Sequence, residues 1–332
     1  MAAGELKELW GKGTEFLGSR YAILGGAMSW LSESNLVAAI SNAGGFGVIA
    51  SGNMPPELYR GEIKKTQSKT NQPFGVNLIT MNPELPELIQ VTIDEGVTHC
   101  VLAGGVPDAA TIARLKDNGI KVVAFAPTLA FAKRLVRQGA DALVIEGSEA
   151  GGHIGPVSTS VLAQEILPFL TTVPIFVAGG IATGAMVAQY LKMGAAGCQL
   201  GTRFVCAEEC VAHPNFKKTF IRAKSRDAVA TAQFDPILPV IPVRALVNQG
   251  TREFNNLQLK LVGEVKAGRL ERDEAVLDME RFWVGALKKA AIDGDMESGS
   301  IMAGQSVGLV SKVEPVAAII DALVSDAEKS LN

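Results

Sequence analysis

The stretch Gly139-Ala140-Asp141-Ala142-Leu143-Val144-Ile145 decides how this 332-residue chain folds. Residues 129–138 before it have helical periodicity with Lys and Arg on one side. Gly139 is the residue type that ends a helix in the left-handed conformation. The run 142–145 is short and apolar at every position, as a strand buried on both faces must be. The same unit returns at Gly96-Val97 before His99-Cys100-Val101-Leu102 and at Gly119-Ile120 before Lys121-Val122-Val123-Ala124-Phe125. It returns again at Gly194-Ala195 before Cys198-Gln199-Leu200-Gly201.

Working outward from these copies, the pattern predicts strands at 21–24, 46–50, 74–77, 98–102, 121–125, 142–145, 175–177 and 197–200. Eight successive β-α units predict an α/β protein built as a closed (β/α)8 TIM barrel, with an open doubly wound sheet as the alternative. After Phe204 the repeat stops. Residues 207–298 are richer in charge and proline and contain two long amphipathic stretches, 243–266 and 273–291. They read as an inserted C-terminal helical lobe, leaving 1–206 plus 299–332 as the barrel. In the tail, Val316, Ile319, Ile320 and Leu323 fall at helical spacing and would return to the barrel wall.

Composition narrows the function classes. Hydrophobic residues make up 48%, charged residues 20%, and the net charge is −3. No basic run suits nucleic acid or an anionic membrane surface. No apolar stretch approaches the ~20 residues of a membrane span. Glu5, Lys7, Glu8, Lys12 and Glu15 make the N-terminal segment unlike a secretory signal, so the expected location is cytoplasmic. Cys100, Cys198, Cys206 and Cys210 are then free thiols. Cys206 and Cys210 lie one helical turn apart, but nothing nearby completes a metal's ligand set, and no metal is expected.

Chemistry in such a barrel sits at the C-terminal ends of the strands. Gly179-Gly180 and Gly201-Thr202 end neighbouring strands and expose backbone N–H groups ahead of helices expected near Thr183 and Ala207. Bare amides with a helix dipole behind them suit a phosphate. His153 is the only histidine in a strand-end loop, and the glycines around it leave room for a proton donor or acceptor. His99 starts a strand at the opposite rim and His213 precedes a proline, so both read as structural. Glu146 and Glu149 could act as acids or bases, bind a cation, or hold the loop through backbone N–H groups. The segment Gly299-Ser300-Ile301-Met302-Ala303-Gly304-Gln305 breaks the charged pattern of the lobe and could cover a ligand. A cofactor-free sugar-phosphate isomerase or lyase would use the same phosphate site, and a flavin-binding protein without turnover is a further reading.

Together these segments resemble the nitronate monooxygenase (2-nitropropane dioxygenase) superfamily, and within it the FMN-dependent type II enoyl-acyl carrier protein reductases. The similarity spans nearly the whole chain. It rests on Met28-Ser29-Trp30, Ser41 to Gly47, Pro73 to Asn77, Ala178 to Ile181, Gly201 to Phe204, and above all Glu149-Ala150-Gly151-Gly152-His153-Ile154-Gly155. One departure is Gly25-Gly26-Ala27-Met28, where relatives often carry Gln-Gly-Gly-Met. The resemblance implies noncovalent FMN, with its phosphate on Gly179, Gly180, Gly201 and Thr202. Gly26, Met28, Asn77, Glu146, Gly151, Gly152, Met302 and Gln305 would line the remainder of the cofactor site. It further implies His153 as the catalytic residue and NADH or NADPH as co-substrate. An enoyl thioester, on coenzyme A or on an acyl carrier protein, would be the acceptor; oxidation of alkyl nitronates by O2 is the alternative. A homodimer is left open.

Overall fold

The computed structural model describes residues 2–52, 54–239 and 241–332. Among the described residues, twelve strands occur in chain order: β1 (Ile23–Gly25), β2 (Val48–Ala50), β3 (Gly75–Ile79), β4 (His99–Ala103), β5 (Lys121–Phe125), β6 (Ala142–Glu146), β7 (Gly152–His153), β8 (Ile175–Ala178), β9 (Gly197–Leu200), β10 (Ala228–Ala230), β11 (Val243–Leu246) and β12 (Ile301–Met302). Eight of them form one parallel sheet in the order β1-β9-β8-β6-β5-β4-β3-β2. Its ends meet: Phe46 N donates to Ile23 O and Gly25 N donates to Phe46 O, each at 2.9 Å. The sheet is thus a barrel, with each predicted strand within two residues of its expected place.

The helix-stopping glycines behave as the repeat requires. Gly96, Gly119, Gly139 and Gly194 have φ of 66°, 76°, 104° and 104°, a region that side chains with Cβ rarely enter. At Gly184 the constraint is space. A Cβ there would stand 1.9 Å from Leu323 O, so the helices Gly184–Lys192 and Val316–Ser330 touch backbone to backbone. The tail helix is therefore part of the barrel wall, its Val316, Ile319, Ile320 and Leu323 buried.

Residues 207–298 include the helices Pro214–Arg222, Gln249–Lys266 and Arg272–Ala291. They also contain two strands that the helical reading missed. The stretch 243–266 splits: Val243–Leu246 is β11, and Asn248 starts the helix by accepting Thr251 N at 3.0 Å. β11 is antiparallel to β10, β12 and β7. Since β7 follows β6 and β12 leads back to the barrel, this small sheet fastens the lobe to the C-terminal rim. Phe254, Met279 and Trp283 pack inside the lobe, with the Phe254 and Trp283 rings 4.1 Å apart. No helix among the described residues is long and apolar enough to cross a membrane. All four cysteines are buried free thiols.

Candidate active site

The turns after β8 and β9 expose amides. Gly179 and Gly180 hold φ of 96° and 73°. Among the described residues, the N–H groups of Gly179, Gly180, Gly201 and Thr202 donate to no protein acceptor. These residues are half-buried, where an unpaired amide carries a real penalty. Behind the first turn the helix Gly184–Lys192 begins, its Thr183 hydroxyl accepting Met186 N at 3.2 Å. Behind the second, the expected helix from Ala207 is absent. A single turn, Thr202–Val205, starts directly at Gly201.

The loop after β6 is held from three sides. Glu149 Oε2 accepts Thr159 N at 2.8 Å and Thr159 Oγ1 at 2.9 Å, so this carboxylate holds the loop. Arg244 of β11 is buried and donates through Nε to Ser148 O at 2.9 Å and through an Nη to Ala228 O at 2.6 Å. The returning segment closes the third side. Gln305 N donates to Glu149 O at 2.9 Å, and Gly304 N donates to Thr202 Oγ1 at 3.0 Å. A Cβ on Gly151 would stand 2.5 Å from Gly304 N, and one on Gly152 would stand 3.6 Å from Met302 Sδ. Gly151, Gly152, Thr202, Met302 and Gln305 therefore meet, although the first and last are far apart in the sequence.

Glu146 ends β6 half-buried. Burial pushes its carboxyl up to about 8, with no charge or hydrogen bond to offset it. His153 lies on β7, paired with Val243, and its Nε2 is 3.1 Å from Glu280 Oε2 of the helix Arg272–Ala291. His99 is buried at the opposite rim, with Nε2 on Phe16 O at 2.9 Å, and burial lowers its pKa to about 4. His213 caps the helix Pro214–Arg222 through Nδ1. Both are structural, as their positions suggested.

Just after β1, Gly26 and Met28 approach the end of β9 and its turn. A Cβ on Gly201 would stand 3.6 Å from Met28 Sδ, and one on Gly26 would stand 3.4 Å from Gln199. A glutamine side chain thus reaches Gly26 from β9. Asn77 is buried on β3 and donates through Nδ2 to Val101 O at 2.9 Å. Sequence reasoning overlooked Arg244, Gln199 and Glu280. A lone cation inside Val243-Arg244-Ala245-Leu246 was a usable signal for the first; the other two look like ordinary strand and helix residues.

The profile of the nitronate monooxygenase family matches residues 12–326. The chain belongs to that family. FabK from Thermotoga maritima has a solved structure that is 36% identical, with a TM-score of 0.85 over 96% of both chains. A (3aS,4S,5R,7aS)-5-hydroxy-7a-methyl-1-oxo-octahydro-1H-indene-4-carboxyl-CoA dehydrogenase from Rhodococcus jostii (strain RHA1) is 29% identical over 96% of each chain. A probable nitronate monooxygenase from Staphylococcus saprophyticus is 26% identical, covering 96% of this chain and 98% of the relative. This member is an oxidoreductase, from a family of FMN-dependent flavoproteins. The residues fit that cofactor: four unpaired amides on adjacent turns match one terminal phosphate, and Gly201 leaves its approach open.

Proposed function

We propose that this nitronate monooxygenase family member binds FMN and uses NADH or NADPH to reduce the C=C bond of an enoyl thioester. The observation that carries the reading is the single wall made by Gly151 and Gly152 against Met302, Ala303 and Gly304. His153 follows that wall in the chain, on β7 where the small sheet joins the barrel rim. Two relatives point to thioesters: FabK, an enoyl-acyl carrier protein reductase II, at 36% identity and the carboxyl-CoA dehydrogenase at 29%. The probable nitronate monooxygenase stands at 26%.

When bound, FMN would supply the redox chemistry that links nicotinamide and substrate. The turns after β8 and β9 would hold its phosphate, and the lobe would narrow access of water to the mouth. The β-carbon gains the hydride and the α-carbon gains a proton, so NAD(P)H and one proton are consumed per double bond. His153 supplies that proton, or hydrogen-bonds the thioester oxygen as negative charge builds there.

The second reading, nitronate oxidation by O2, draws on the family itself and uses His153 as the base on the nitro compound. Anaerobic mixing separates the two. The reductase reading expects NADH or NADPH to bleach the yellow protein and an enoyl thioester to restore its colour. A flavin bleached by nitronates, yet left reduced by every enoyl thioester after NAD(P)H, would establish the second reading instead.

A further inference from the structure

We infer that Arg244 is a positioning residue for the reaction: its buried guanidinium and its own backbone clamp the loop that carries His153. The inference deepens the proposed function and rests on His153 being the reacting residue, as it is in both readings above. Its basis is the set of contacts that this one residue makes with three segments of the chain. Through Nε the side chain donates to Ser148 O at 2.9 Å, and through an Nη to Ala228 O at 2.6 Å. The backbone of β11 runs antiparallel to β7, with Arg244 opposite Gly152 and Val243 opposite His153. Ile154 N continues that pairing by donating to Pro242 O at 2.9 Å, and Arg244 O accepts Ala303 N at 3.3 Å. Ser148 and Gly152 therefore bracket the turn before His153, both held by Arg244. Ala303 belongs to the segment packed against Gly151.

Only 9% of Arg244 is exposed, and its side chain donates to carbonyls, not to a carboxylate. Burying a cation without a contacting counter-charge is costly, and an apolar side chain of similar length would avoid that cost. Burial accordingly lowers the Arg244 pKa, with the Glu149 carboxylate working against it. What the guanidinium adds is a rigid planar fork whose donors reach two carbonyls in one geometry. One carbonyl belongs to the loop after β6 and the other to β10, so the fork sets the spacing between barrel loop and small sheet. The loop needs such a clamp. Gly151 and Gly152 leave its backbone free to move, and φ at Gly152 is 79°. Packing of the imidazole cannot supply the restraint, because 43% of the His153 side chain is exposed. The backbone on either side must hold it.

The test uses the FMN-loaded full chain. In Arg244→Met, kcat for enoyl thioester reduction should fall about 10–100-fold, the effect of a displacement of up to about 1 Å. KM should stay within about threefold, because substrate contacts are kept. Arg244→Lys, which keeps the charge but can reach only one of the two carbonyls, should lose about 3–10-fold. Flavin reduction by NAD(P)H should stay within about twofold in both variants, because it does not pass through His153. In a His153→Ala background, adding Arg244→Met should change kcat by less than about twofold, since Arg244 acts through that histidine. Independently of substrate, hydrogen exchange across residues 148–155 should accelerate at least about tenfold in Arg244→Met and stay within about twofold across β3, β4 and β5. Equal losses of kcat in both backgrounds, or unchanged exchange across that loop, would overturn the proposal. Should Arg244→Met fail to fold, Arg244→Lys carries the same two comparisons. A wild type that reduces no enoyl thioester would defeat the reductase reading alone. The same variants would then be scored on nitronate oxidation, which uses the same histidine, and the exchange measurement would stand as it is.

Discussion

Glu146 has a carboxyl held near 8 by burial alone, so the FMN-free protein keeps it protonated at neutral pH. A carboxyl whose folded pKa exceeds its unfolded value favours folding below the unfolded pKa and loses that advantage as pH rises toward the folded one. Stability of the FMN-free protein should therefore decline between about pH 4.5 and 8. Glu146→Gln, neutral and of equal size, should remove this decline and be more stable by about 2 kcal/mol at pH 8, after discounting for solvent still reaching the side chain. Urea denaturation of both proteins at pH 5 and pH 8 checks this; parallel pH dependence would refute it. His153 gives a second prediction. His153→Ala should keep FMN and its reduction by NAD(P)H, yet slow thioester reduction about 10²–10⁴-fold, measured by stopped-flow reoxidation. His153 was legible in the sequence because glycines flank it in a strand-end loop. Its neighbour Glu280 was not, because a carboxylate at the edge of an amphipathic helix looks solvated until the lobe is folded onto the rim.

At the level of elements, the β-α units were readable because the strands are buried on both faces and the helices before β4, β5, β6 and β9 stop at a left-handed glycine. The strands of the small sheet were not, because β10, β11 and β12 have only two to four residues and pair across the chain. Their alternation is too short to outweigh the helical stretch that follows β11. The phosphate turns carry the prediction for this scale. Gly201→Asp should abolish FMN binding while leaving a folded barrel, since φ at Gly201 is −114° and the nearest atom to an added Cβ is the flexible Met28 thioether at 3.6 Å. A carboxylate there would face the phosphate. Gly180→Asp should also lose FMN but be less stable, because φ is 73° and its Cβ would stand 3.0 Å from that of Glu149. Flavin fluorescence titration together with far-ultraviolet circular dichroism distinguishes the two. Unchanged FMN affinity in Gly201→Asp would place the phosphate elsewhere.

Across the whole molecule, the return from lobe to barrel is tied at the β9 turn. Arg203 and Glu314, each 12% exposed, pair at 2.8 Å. Burial works to raise the Glu314 carboxyl, but Arg203 and then Lys312 outweigh it and hold it below the ordinary range. The large barrel core extends into the lobe through Phe216, Phe220, Leu287 and Ala290, whereas Phe254, Met279 and Trp283 form a smaller, separate core. The two cores invite a test of whether lobe and barrel open together. Trp283→Ala removes the ring packed 4.1 Å from Phe254 and should cost the lobe about 3–5 kcal/mol. Little of that loss should reach strands β1 to β6, whose packing partners lie in the barrel. Hydrogen exchange should therefore accelerate by at least about tenfold across Gln249–Lys266 and Arg272–Ala291 and stay within about twofold across β3, β4 and β5. FMN should remain bound, because the unpaired amides belong to the turns after β8 and β9. Thioester reduction should fall sharply, because the loosened helix no longer keeps its place beside His153 and Trp30. Equal acceleration in barrel and lobe would show a single cooperative unit, and the lobe could not then open separately to admit substrate.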